Sequence, residues 1–170
     1  MRDRPYDGAF QGLGVAADAA GSYANMLKGI DPLLGPALLG VLRGMGHGDE
    51  IVIADANFPA VSSASSPARV LRADGCDAVR LVAAIVSVLP LDDFVPAAAF
   101  RMSVVDRQEE LPPITHDFAR VLAAAGYSGP IEAIERHAFY GRAKAAYAIV
   151  ATGETRLYGN LILKKGVIRP

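Results

Sequence analysis

The 170-residue chain reads as a single α/β domain with helices layered on a sheet. Three observations predict this. Helix-period and strand-period segments alternate along the chain, as they do in layered α/β folds. Apolar residues make up 52% of the chain and aromatics only 7%, with no tryptophan, so Ala, Val, Leu and Ile must build the core. The stretch Ile51-Val52-Ile53 is apolar at consecutive positions, which marks a strand covered on both faces.

The elements follow in order. Residues 1–25 are rich in Ala and Gly and lack a clean period, so they read as an N-terminal extension to a domain spanning 26–170. Pro36 to Met45 reads as a short helix with Pro36 in its first turn and Leu38, Leu39, Leu42 and Met45 on one face. Gly46 is expected to end it in the left-handed conformation. Glu50 to Ala54 is a buried strand, Asp55 to Pro67 a loop, and Ala68 to Ala73 a second strand. Asp77 to Leu89 is a well-buried helix stopped by Pro90, followed by a turn at Leu91-Asp92-Asp93. In Ala97 to Val105, Phe100, Met102 and Val104 alternate with Arg101 and Ser103, a strand pattern. Thr115 to Ala125 is an amphipathic helix ended by Gly126. Ile131 to Glu135 is a strand, His137 to Lys144 a helical turn or two, and Tyr147–Ala151 and Leu161–Leu163 are strands.

Composition and missing motifs remove several functions. A net charge of -1 leaves no electrostatic footprint for nucleic acid or an anionic membrane. No apolar run approaches the roughly 20 residues of a membrane helix. The single cysteine, Cys76, forms no internal disulfide and fits a reducing, cytoplasmic setting. No Gly-x-Gly-x-x-Gly, Gly-Lys-Ser/Thr, His-x-x-x-His, cysteine cluster or Gly-x-Ser-x-Gly occurs, so no cofactor or metal is expected.

What remains is a polar set on loops. His47 lies between Gly46 and Gly48, where a ligand can approach the backbone closely, and imidazole suits acid/base work near neutral pH. The plainer reading is a surface histidine tolerated by a turn. Asp55 ends a buried strand, where α/β sheets bind ligands; it is equally a turn aspartate. For Asp92 the turn role is the stronger reading. Tyr158-Gly159-Asn160 is either hairpin chemistry, with Gly159 supplying a positive φ, or a phenol and an amide projecting into a site. Arg136 is in the simplest case an ion-pair partner of Glu135 or Glu132, and Lys164-Lys165 a solvated end. His116 and His137 are ordinary helix-start or surface residues.

Four motifs in order carry a resemblance. The start at Met26-Leu-Lys-Gly-Ile-Asp-Pro-Leu-Leu-Gly-Pro-Ala-Leu-Leu39 leads to Met45-Gly-His-Gly-Asp-Glu-Ile-Val-Ile-Ala-Asp-Ala-Asn-Phe-Pro-Ala60. Arg72-Ala-Asp-Gly75, Phe139-Tyr-Gly-Arg-Ala-Lys-Ala-Ala-Tyr-Ala-Ile-Val-Ala-Thr-Gly-Glu154 and Leu157-Tyr-Gly-Asn-Leu-Ile-Leu-Lys-Lys-Gly-Val167 follow. From Met26 to Val167 the chain resembles the fucose mutarotase and ribose pyranase family, nearer the mutarotases. The resemblance implies a three-layer α/β/α domain with a central mixed sheet. It implies cofactor-free interconversion of the anomers of a free sugar, L-fucose first. His47 matches the family's proton donor and Tyr140 the tyrosine associated with mutarotase activity. Asp55, Asp92, Arg136, Tyr158 and Asn160 match sugar contacts. A ring-shaped homo-oligomer, commonly a decamer with sites near subunit interfaces, is implied too. Residues 1–25 have no family counterpart, and Gly141 replaces a common glutamate. A pyranase, a sugar-binding accessory protein and a non-catalytic interaction module are the alternatives.

Overall fold

The computed structural model describes residues 27–66 and 69–169. The expected extension, 1–25, lies outside the described residues. Helix α1 (Pro36–Gly44) buries Leu38 and Leu42 and starts on a proline, whose missing N–H costs nothing in a first turn. Its end differs from the expectation. Met45 turns extended (φ -65, ψ 137), and the left-handed residue is Gly48 at φ 85, two positions beyond Gly46. Strand β1 (Glu50–Ala54) is buried at all but its first residue. The expected loop 55–67 contains one helical turn, α2 (Ala60–Ser63), whose Ala60 packs on the core. Strand β2 is Val70–Ala73. Helix α3 (Ala78–Val86) is capped by the Asp77 carboxylate, which accepts the Arg80 N–H at 2.8 Å.

Strand β3 (Ala99–Met102) is shorter than the alternation predicted. Arg101 and Ser103 are buried, not solvent-facing, because helix α4 (Pro113–Ala124) lies over that face of the sheet. Gly126, at φ 89, ends α4 as expected. Strand β4 (Ile131–Ile134) leads into α5 (Arg136–Ala145), a full ten-residue helix whose cap, Glu135, accepts the N–H groups of His137 and Ala138. Strands β5 (Ala148–Thr152) and β6 (Leu161–Lys164) complete the sheet.

The strand order is β2-β5-β1-β6-β3-β4. Five strands run parallel and β6 runs against both neighbours, so the sheet is mixed. Alternation within strands builds two cores. Ile51, Ile53, Leu161 and Leu163 meet α1, α3 and α4; Val52, Ala54 and Ile162 meet Phe58 and α5 through Phe139. This is a three-layer α/β/α domain. The parallel strands define two edges that matter for function, one at their carboxyl ends and one at their amino ends.

Candidate active site

At the carboxyl edge the chain builds a closed pair. Asp55, immediately after β1, is 5% exposed and Asn160, immediately before β6, is 4% exposed. The Asn160 amide donates to Asp55 Oδ2 at 2.7 Å, and its oxygen accepts the Asp55 N–H at 2.9 Å. The other carboxylate oxygen accepts the Asn57 N–H at 2.9 Å. All of these partners are neutral. Burial therefore prevails over the hydrogen bonds from Asn57, Asn160 and neighbouring N–H groups, and the Asp55 carboxyl is pushed above the usual carboxylate range.

Tyr158 belongs to the same edge. Its φ of 61 shows that the tyrosine, not Gly159, adopts the left-handed conformation. Gly159 is needed for space: a Cβ there would lie 2.7 Å from Glu154 Cγ and 3.0 Å from the Arg156 carbonyl oxygen. The phenol oxygen of Tyr158 accepts the Val105 N–H at 3.2 Å. Tyr140, one turn into α5, stacks at a tilt on Phe58 with ring centres 5.5 Å apart, beside the loop that carries Asp55. Arg136 opens α5 at this edge and is exposed. A cavity of about 430 Å³ lined by Asp55, Phe58, Arg72, Asp74 and Thr152 opens here.

His47 and Asp92 are at the amino edge. The turn holding His47 is pinned by Gly46 N–H to Asp49 Oδ2 at 2.7 Å and by Gly48 N–H to the Lys165 carbonyl at 2.9 Å. His47 Nε2 lies 3.1 Å from Asp92 Oδ1, and the Phe94 ring flanks the imidazole at 5.4 Å. Asp92 is 3% exposed. Burial alone would raise its carboxyl, but the Phe94 N–H, His47 and the Lys164 charge together hold it below the usual range. A cavity of about 630 Å³ bordered by Asp92, Pro96, Tyr127 and Ile168 opens at this edge.

His47 and Asp55 are eight positions apart in the sequence, and within one copy the structure separates them. Glu50 pairs with Lys164 and Ile53 with Leu161, so His47 lies before one end of β1 and Asp55 after the other. The strand between them alone spans about 13 Å. Asp55, Asn160, Tyr158, Tyr140 and Arg136 thus share one edge, and His47 and Asp92 share the other.

Residues 28–168 match the RbsD / FucU transport protein family. The chain belongs to that family. Among its relatives is the fucose mutarotase of Bos taurus, 49% identical over 148 residues, which cover 85% of this chain and 96% of that protein. The structure of the fucose mutarotase of Streptococcus pneumoniae in complex with L-fucose is similar at a TM-score of 0.78 and 43% identity, covering 84% of this chain and all of that one. Bacillus subtilis RbsD complexed with D-ribose is more distant, at a TM-score of 0.59 and 25% identity over 80% of this chain and 95% of that one.

Sequence reasoning missed a cluster beside the His47 edge. Arg142 on α5 grips Glu50 through Nε at 2.7 Å and Nη2 at 2.5 Å, and Lys164 Nζ lies 3.2 Å from the same carboxylate. The Arg142 guanidinium also stacks 3.4 Å over the Phe100 ring. Lys164 is therefore not the solvated end it looked like. Glu50, Arg142 and Lys164 each sit inside a motif that carried the family resemblance, and the facing positions of Glu50 and Lys164 on β1 and β6 were the available signal. Arg101 gave no signal at all: it is 6% exposed, and its buried Nε has no hydrogen-bond partner.

Proposed function

We propose that this chain is a sugar mutarotase interconverting the α and β anomers of a free monosaccharide, L-fucose first, by cofactor-free acid/base ring opening and closure. The observation that carries this reading is the likeness, across nearly the whole domain, to the Streptococcus pneumoniae protein whose structure contains L-fucose. The site chemistry supports it. Mutarotation removes the proton of the anomeric hydroxyl as the bond from the anomeric carbon to the ring oxygen breaks. That bond's electron pair goes to the ring oxygen, which takes up a proton. The carbonyl turns and the steps reverse, with no net gain or loss of protons. His47 is the main proton-transfer group, and Tyr140, a phenol that donates well, is the second. Asp55 with Asn160, Tyr158 and Arg136 orient sugar hydroxyls, since a carboxylate accepts two of them at once.

This assignment requires two copies, because the two groups lie on opposite edges of one sheet. We therefore read the functional unit as a ring-shaped homo-oligomer, a decamer by family resemblance, in which one copy's amino edge meets the next copy's carboxyl edge. Apolar side chains beside both halves support this: Phe94 and Ile168 are 64% and 83% exposed near His47, and Leu157 and Val105 are 70% and 41% exposed near Tyr158. Among the described residues no helix is long and apolar enough to cross a membrane. A cytoplasmic location is part of the same proposal.

Saturation-transfer NMR on L-fucose, D-ribose and D-galactose tests the activity. The mutarotase reading expects fastest anomer exchange on L-fucose. Faster pyranose–furanose exchange on ribose would favour the pyranase instead, and tight binding without faster exchange would favour a sugar-binding protein. Light scattering tests the assembly, where a fully active monomer would contradict it.

A further inference from the structure

Asp92 is almost entirely buried, and its carboxylate is already engaged. Oδ1 accepts the Phe94 N–H at 3.0 Å and faces His47 Nε2 at 3.1 Å. Lys164, fixed by Glu50 and through it by Arg142, places a positive charge near this carboxylate and favours its ionised form. An ionised carboxylate only accepts hydrogen bonds. The imidazole nitrogen facing it must then carry the hydrogen, and the neutral ring is the Nε2–H tautomer. His47 is 47% exposed while Asp92 is 3% exposed, so the ring turns one nitrogen inward and leaves the other edge to solvent. Phe94 at the ring's side and the pinned Gly46–Asp49 turn restrict its rotation.

We infer that His47 exchanges protons with the sugar through Nδ1, and that Asp92 is a positioning residue which fixes the ring and its tautomer through Nε2. The inference rests on the reading of His47 as the proton-transfer group. It separates Asp92 from Asp55: one carboxylate is committed to a histidine, the other to an amide that leaves it beside an open cavity. When Nδ1 takes the proton of the anomeric hydroxyl, the ring becomes an imidazolium and Asp92 stabilises the charge. When the ring closes, Nδ1 returns the proton. The Asp92–Nε2 hydrogen bond is kept throughout.

The test uses full-length protein labelled with ¹⁵N-histidine, with His47 assigned by the loss of its signals in His47→Ala. The Nε2–H tautomer is expected in the neutral wild-type ring, and a predominant Nδ1–H tautomer would overturn the inference. Asp92→Asn is expected to weaken the tautomer preference. It should lower kcat for anomer exchange about tenfold or more, within the range that positioned acid/base catalysis supplies, while KM stays nearly constant. A raised KM with unchanged kcat would overturn the inference in favour of direct sugar binding. If Asp92→Asn fails to fold, the wild-type tautomer still decides. A wild-type protein that fails to speed anomer exchange would count against the mutarotase reading, and the tautomer would remain readable in that case.

Discussion

Asp55 and Asp92 are the same residue type, almost equally buried, at opposite edges of one sheet, and their acidities move in opposite directions. Asp92 has a histidine and a lysine charge around it and stays easily ionised. Asp55 has only neutral donors, and burial prevails. Burial alone thus does not set a carboxylate's acidity: the Phe94 N–H, the His47 ring and the Lys164 charge together hold Asp92 low, whereas the neutral donors around Asp55 do not offset its burial. The charged edge suits a histidine that changes protonation state. The neutral edge suits a group that holds hydroxyls in place. Under the proposed mechanism mutarotation uses both, and no single copy brings them together.

The largest expected effect probes the charged edge. His47→Ala should lower the anomer-exchange rate by about 10²–10⁴-fold, the usual contribution of a positioned acid/base group. The fold should survive, since the side chain is half-exposed. Circular dichroism and saturation-transfer NMR on one sample check both. The neutral edge should instead respond in stability. Asn160→Ala strips a donor and an acceptor from Asp55, and each orphaned buried group costs about 1–3 kcal/mol. Urea unfolding should show that loss alongside weakened sugar binding.

Acid should separate the two edges further. Glu50 is held below its usual range because Arg142 and Lys164 outweigh its burial. Its stabilising contribution is present above the unfolded-state value near 4.5 and is lost as pH falls through the lower folded value. Asp55 has the opposite sign. Its folded value is raised, so its penalty is present above that value and is relieved as pH falls toward the unfolded-state value of 3.8. Stability measured from neutral pH down to about pH 3 should fall less steeply in Glu50→Gln than in the wild type, and more steeply in Asp55→Asn. The smallest effect lies between the edges, on α5. Gly141 has open space around its Cβ position and no positive φ, so Gly141→Ala should add about 0.5–1 kcal/mol by thermal melts.

Much of this was legible in the chain. Helix and strand order follow from apolar periodicity, and Ile51-Val52-Ile53 announced a strand covered on both faces. Other features depend on residues distant in sequence. Gly46 sits where a left-handed cap is usual, yet the backbone reverses at Gly48, whose N–H is held by the carbonyl of Lys165, one residue past β6. One reading of Tyr158-Gly159-Asn160 gives Gly159 a positive φ, but Tyr158 takes that conformation, and Gly159 is needed because Glu154 and Ile114 leave no space for a Cβ. Arg101 followed a polar alternation, yet α4 covers that face. The site residues were readable as types and not as an arrangement. His47 and Asp55 are close in sequence, and the strand between them, itself predicted, is what holds them apart.

One copy's His47 edge is expected to meet the next copy's Asp55 edge, and subunit mixing tests that most directly. His47→Ala and Asp55→Asn proteins, each inactive alone, are dissociated, combined in equal amounts, reassembled and assayed for L-fucose anomer exchange, with mixed oligomers verified by native mass spectrometry. A site shared between copies joins an intact His47 to an intact Asp55 at about a quarter of randomly formed interfaces, so roughly a quarter of wild-type activity should return. Mixed oligomers that stay inactive would contradict the account.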